Sequence, residues 1–180
     1  MSYFGAFTQD DNQQTFQILV GDPTTITLQS WGFAGGTNAA GSVIPAGGFA
    51  TVLSLFDPSG LLVTSDTGGT APDGCTPRNI DEATGFCLDA YVSESVLTSG
   101  SWTAVLTEFD NTANGPALAD GFTQDGAGNF NNGFQLFYTF QRTGNWAVDI
   151  NDGYTPEPAA AWLTLAGLGF LARYRRRRKE

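Results

Sequence analysis

The chain has 180 residues, of which 41% are hydrophobic and only 14% charged, enough for one domain with a real core. It contains no histidine, which excludes Ser-His-Asp and Cys-His catalytic arrangements and, with only two cysteines, argues against a zinc site. The net charge is −10, yet six of the eight Lys and Arg residues lie in the last eight positions. Before them stand only Arg78 and Arg142, so the acidic body repels nucleic acid rather than binding it.

In chain order, the opening MSYFGAFTQDDN has neither a basic n-region nor a long apolar run and does not read as a signal peptide. Residues from about Ala6 to Ile150 read as all-β, because Gly, aromatics and low charge favour short strands and tight turns. Phe16, Ile18 and Val20 alternate with Gln17 and Leu19, and Ile26 and Leu28 with Thr25, Thr27 and Gln29. Gly21-Asp22-Pro23 turns the chain between these runs. The stretch from Gly32 to Gly48 is too Gly-rich for a regular strand and is expected to make an excursion across one end of the fold.

Phe49 to Phe56 is apolar on both faces, as a central strand would be. Asp57-Pro58-Ser59-Gly60 has β-turn composition, and Leu61 to Ser65 completes the hairpin. A Gly/Pro-rich loop from Asp66 to Gly85 leads to a strand over Phe86 to Val96, with Leu88, Ala90 and Val92 on one face and Asp89, Tyr91 and Ser93 on the other. Ser101 to Phe109 places Trp102, Ala104 and Leu106 together. After a second long loop, from Asp110 to Asn132, the runs Phe134 to Phe140 and Asn145 to Ile150 supply the last strands. About eight strands with uneven loops fit an antiparallel β-sandwich, with a jelly roll as one such arrangement. Residues 1–150 form this domain, 151–158 a linker, and 159–180 an apolar segment with a basic tail.

Pro156-Glu157-Pro158 precedes an uncharged run from Ala159 to Ala172. At about 14 residues it spans roughly 21 Å as a helix, against a hydrocarbon core of about 30 Å. Tyr174 and snorkelling side chains of Arg173, Arg175, Arg176, Arg177, Arg178 and Lys179 extend it, giving a single transmembrane helix with its C-terminus in the cytoplasm. An amphipathic or core helix is the alternative, disfavoured because the run is apolar on every side.

This order of elements closely resembles the PEP-CTERM sorting signal of Gram-negative bacteria. The resemblance implies export, recognition of the motif by an exosortase in the inner membrane, removal of the tail, and a final place at the cell surface or outside it. Proteins of this kind often accompany exopolysaccharide production. The body segments FTQDDNQQTF, SWGFAGGTNAAGSVIPAGGFATVLSLFDPSG, LDAYVS, LTEFDNTANGPALADGF and RTGNWAVDI resemble a family of exported bacterial proteins that commonly carry such tails. That family opens with Asp-Asp-x-Val-Gln-x-Phe; Asp10, Asp11, Gln14 and Phe16 fit, and Gln13 replaces the Val. The run Leu53 to Gly60 is also similar to the Leu-x-Leu-Phe-Asp strand-turn of the pre-peptidase C-terminal domain sandwich. An exported protein is expected to carry a signal peptide, so the expectation is a chain that starts late or a gene start placed too far downstream.

Export bears on Cys75 and Cys87 too. A bridge would close a loop of about a dozen residues and stabilise by roughly 3 kcal/mol. Buried free thiols are the alternative, and an oxidising compartment favours the bridge. Glu82, Glu94 and Glu108 are available for two-carboxylate chemistry, but nothing in their spacing marks a pair, and an enzyme is not expected.

For a hard cation such as calcium, Asp120, Asp125 and Asn129 offer oxygen ligands between glycines, with Asp10, Asp11, Asp57, Asp66 and Asp110 as further donors. The competing role for these residues is turn-making through their own backbone hydrogen bonds. The leading expectation is a non-enzymatic exported surface or matrix protein. The alternative is a carbohydrate-binding module with calcium-supported loops, using exposed aromatics such as Trp31, Phe33 or Phe122, although most aromatics of the chain are better explained as core.

Overall fold

A computed structural model describes residues 1–70, 74–130 and 142–153. The expected strand at Phe134 to Phe140, the Pro-Glu-Pro motif and the whole apolar and basic tail lie outside the described residues. The elements are β1 (Ser2–Ala6), β2 (Gln13–Val20), β3 (Thr24–Ser30), β4 (Gly36–Thr37), β5 (Val43–Ile44), β6 (Thr51–Phe56), β7 (Leu62–Asp66), β8 (Gly69–Thr70), β9 (Phe86–Cys87), β10 (Tyr91–Val96), β11 (Gly100–Glu108) and β12 (Asn145–Asn151), with a short 3₁₀ turn at Leu118–Asp120. Among the described residues no helix is long and apolar enough to cross a membrane.

Among the described residues, eight strands form two four-stranded sheets, ordered β1-β12-β3-β10 and β2-β11-β6-β7, and every pairing is antiparallel. The sheets face each other across one apolar core. Phe16, Ile18 and Val20 of β2 and Trp102, Ala104 and Leu106 of β11 meet Ile26 and Leu28 of β3 and Trp146, Val148 and Ile150 of β12. Period-two alternation is the cause, since it sends every second side chain to the same face. Leu19, between two core residues, is correspondingly 79% exposed.

Strand β6 is buried along its whole length because both of its faces are covered. Leu53 and Leu55 enter the core, while Phe56 packs outward with Val105 and Phe122, a residue of the 110–130 loop folded over that sheet. The Asp57–Gly60 turn forms as expected: the Gly60 amide donates to the Asp57 carbonyl at 2.9 Å. Gly60 has φ +82°, a conformation only glycine takes readily. Donation from the Ser59 hydroxyl and the Leu61 amide holds the Asp57 carboxyl below its usual range.

Two expectations are corrected. Strand β1 was not foreseen, because only Tyr3 of its apolar residues packs on the core, at 4.9 Å from Phe16 between ring centroids, while Phe4 is 56% exposed. The run Phe86 to Val96 is not one strand. It breaks between β9 and β10 because Asp89, expected on the outer face, turns inward and is buried.

The loop between β7 and β10 is clasped at three points. Cys75 and Cys87 are bridged, with Cα atoms 5.4 Å apart. Arg78 Nη2 reaches Asp66 Oδ2 at 2.6 Å, and Arg142 Nη2 reaches Asp81 Oδ2 at 2.6 Å. Both arginines of the body are thus spent as clasps. Replacing both cysteines by serine should lower stability by roughly 3 kcal/mol. Urea unfolding under non-reducing conditions reads this, and an unmoved midpoint would show that the bridge constrains nothing.

Candidate functional site

Of the three aromatics named as a platform, Phe33 and Phe122 cannot serve, being 0% and 2% exposed. Phe33 lies under the Arg142 guanidinium, 4.0 Å above its ring centroid, and Phe122 closes the outer cluster against Phe56 at 6.4 Å. Their loops fold back over the sheets, so residues that look available in sequence become secondary cores. Trp31 alone stays partly exposed.

The calcium candidates sit in one loop as turn residues. Asp120 Oδ2 accepts from the Ala117 amide at 2.9 Å. Asp125 Oδ2 accepts from the Phe122 amide at 2.9 Å, and its Oδ1 from Gln13 Nε2 at 2.7 Å. The Asn129 carbonyl accepts from the Asp10 amide. Among the described residues no three His, Cys, Asp or Glu side chains gather to hold a metal ion. Asp57 is likewise engaged locally, Asp66 Oδ2 accepts from Arg78 and from the Gly68 and Tyr91 amides, and Asp110 Oδ1 accepts from Gln124 Nε2 at 3.1 Å. Glu82 lies in the loop before β9, Glu94 on β10 and Glu108 at the end of β11.

A cleft of about 660 Å³ lies on the outer face of the β1-β12-β3-β10 sheet. Thr27 and Gln29 of β3 and Asp149 and Asn151 of β12 form its floor; Trp31, Thr37, Asn38 and Ala39 form one wall. Thr37, Asn38 and Ala39 of that wall belong to the Gly-rich 32–48 segment, expected across one end of the fold; these residues lie instead over a sheet face. The cause is Asp149. Its carboxylate accepts from Trp31 Nε1 and from the Ala39 amide, each at 2.7 Å, and from the Ser2 hydroxyl at 2.5 Å. One buried carboxylate thus ties β1, the indole and the loop to β12.

The loop's other end is fixed from beneath. Asp89 accepts from the Phe33 amide at 2.9 Å and the Ala34 amide at 2.8 Å. Burial pushes its carboxyl up to about 6, against the lowering effect of the Ala34 and Phe33 amides and the Ser30 hydroxyl. Gly36 permits the close approach of backbone to indole: its φ is +142°, and a Cβ there would stand 3.1 Å from the Trp31 ring.

Asn38 is 5% exposed; its Oδ1 accepts from the Ser42 amide at 2.8 Å, while among the described residues its Nδ2 has no hydrogen-bond partner. Among the described residues no lysine or arginine lines the cleft; Met1 lines it, its terminal ammonium donating to the Ile150 carbonyl at 2.6 Å.

Asp149, Asn38 and Gln29 were not singled out in sequence. One signal existed, an acidic residue set between Val148 and Ile150, at the position that alternation sends outward.

Residues 155–179 match the PEP-CTERM protein-sorting motif. A chain with this motif is an exported protein whose sorting depends on an exosortase. No curated protein matches the chain.

Proposed function

We propose that the chain is a non-enzymatic β-sandwich protein of the cell surface or extracellular matrix, delivered and cut by an exosortase in a Gram-negative host that makes exopolysaccharide. The match over residues 155–179 carries this reading. In it, the run Ala159 to Ala172 spans the inner membrane transiently, the arginines stay in the cytoplasm, and cleavage near Pro156-Glu157-Pro158 frees the body. The bridge between Cys75 and Cys87 supports an oxidising destination.

A jelly roll is the arrangement we propose for the body. Counting the eight sandwich strands along the chain, the sheets read 1-8-3-6 and 2-7-4-5, the order that two interlocked Greek keys produce. Fold alone carries no activity, and the absence of histidine favours a binding or structural role over catalysis.

Mass spectrometry of the surface form in its host tests the sorting. The expected C-terminus lies at or before Pro158, and replacing Pro156, Glu157 and Pro158 together by alanine should leave the uncut chain in the membrane fraction. An intact tail on the surface form, or normal processing of the triple variant, would overturn the proposal.

A further inference from the structure

We propose that the end of the sandwich from which the chain leaves the fold docks on the lipid surface, through Leu19 and Leu97, while the apolar tail is inserted. The docking rests on the reading that the run Ala159 to Ala172 enters the membrane. Its geometry starts at Gly153, the last described residue. Thr24 Oγ1 donates to the Asp152 carbonyl at 3.0 Å, and the Gly153 amide donates to Asn151 Oδ1 at 3.0 Å. The chain is thus pinned beside the start of β3 up to that point. Residues 154–158 separate it from Ala159. Even fully extended, that stretch reaches roughly 20 Å, so the exit end cannot stand far from the bilayer.

The same end exposes leucine. Val20 pairs with Gly100 and Val96 with Thr24, so the β2–β3 and β10–β11 turns lie together there. Leu19 and Leu97 are 79% and 80% exposed. Leu19 lines one hollow with Asp22, Pro23, Asp152 and Gly153. Trp102 Nε1 donates to the Thr98 carbonyl at 3.0 Å, which holds the turn that carries Leu97. Single exposed leucines are ordinary on a protein surface. Two of them beside the exit of a short membrane tether are placed to meet lipid. Val43 is as exposed, at 80%, but shares a groove with Asn145, at the other end of β12.

Two leucines are too little apolar surface to hold a free protein on a membrane, since even a single myristoyl chain anchors only marginally. The tether changes this, because a short linker keeps them at high local concentration beside the surface. Charge adds little. Asp22 and Asp152 flank Leu19, the Met1 ammonium is held on the Ile150 carbonyl, and both arginines of the body are paired with Asp66 and Asp81. Among the described residues there is no basic patch to draw this end to anionic headgroups, so its attraction to lipid is apolar.

Tryptophan quenching tests this, with the full chain in phosphatidylcholine vesicles whose acyl chains carry bromine. Wild type should be quenched more than Trp162→Phe, which reads entry of the tail. In the Trp162→Phe chain, Leu97→Trp should add a quenched tryptophan and Val43→Trp an unquenched one. Leu19→Asp, combined with Leu97→Trp, should remove most of that quenching with the melting temperature unchanged. A twelve-residue Gly-Ser insert after Gly153 should lower the local concentration of the leucines roughly sixfold, and the quenching of Leu97→Trp with it. Equal quenching of wild type and Trp162→Phe would show that the tail does not enter, and the membrane reading would fall together with the docking. Quenching of Trp162 without that of Leu97→Trp would overturn the docking alone. So would equal quenching of Val43→Trp, or quenching that Leu19→Asp and the insert both leave unchanged.

Discussion

Replacing Arg142 by alanine should destabilise the body by about 3–5 kcal/mol, a fall of about 2 M in the urea midpoint. The side chains of Arg142 and Asp81 are 4% and 5% exposed and meet at 2.6 Å. Arg142 also donates to the Phe33 carbonyl at 3.2 Å and covers the Phe33 ring. Removing the guanidinium leaves Asp81 as a buried charge without its cation, and the water that would solvate it is excluded. Asp81→Ala should cost about as much by the same logic.

The discriminating variant is the double replacement Asp81→Leu with Arg142→Met. Desolvating two charges offsets most of their attraction, so the apolar pair should recover much of the loss of either single variant. Salt should matter little to the wild type, because a buried pair is poorly screened. A double variant no better than the singles would mean that the pair stabilises in its own right.

The second large effect is expected at Asp89. Asp89→Ala should cost about 3 kcal/mol or more, since it strands the buried Phe33 amide and the half-buried Ala34 amide and loosens the loop above the cleft. Its pH dependence runs opposite to that of most carboxylates. Burial raises the folded value to about 6, against 3.8 for the free group. Between these values the folded protein holds a proton that the unfolded chain has lost, so this group's contribution falls as pH rises from about 4 to about 6. Below and above that window it is flat. Two pH units correspond to roughly 3 kcal/mol. Urea midpoints of wild type and Asp89→Asn at pH 4 and pH 7 isolate the term, because other carboxylates contribute equally to both. The wild type should gain on the variant as the pH is lowered. A constant difference between the two proteins would show that Asp89 ionises normally in its site.

Both effects concern polar groups whose burial was invisible in sequence, and the cleft shares that origin. Asp89 sits in a run that alternates plausibly as an outer-face residue. Its partners are the amides of Phe33 and Ala34, more than fifty residues away along the chain. Asp149 and Ala39 are 110 residues apart, and Arg142 and Asp81 are 61 apart. No local pattern records such pairings. The same holds for Phe33 and Phe122, where the sequence leaves an aromatic in a Gly-rich loop open to either a core or an exposed role, and the fold places both in secondary cores.

What the sequence determined by itself is of two kinds. The first is the all-β sandwich. Its core strands β2, β3, β11 and β12 show period-two alternation, the Asp57–Gly60 turn follows from local chemistry, and the cysteine pair is expected from the export that the C-terminal motif implies. The second is the C-terminal address over residues 155–179, legible because a sorting motif is a linear segment of chain. Tertiary structure alone decided where the Gly-rich segment lies, which aromatics are available, and that a polar cleft exists over β3 and β12. The physical reason is that hydrophobic periodicity is a property of neighbours in the chain. A buried carboxylate takes its partners from wherever the fold brings backbone amides, and Asp149 and Asp89 place the loop that walls the site.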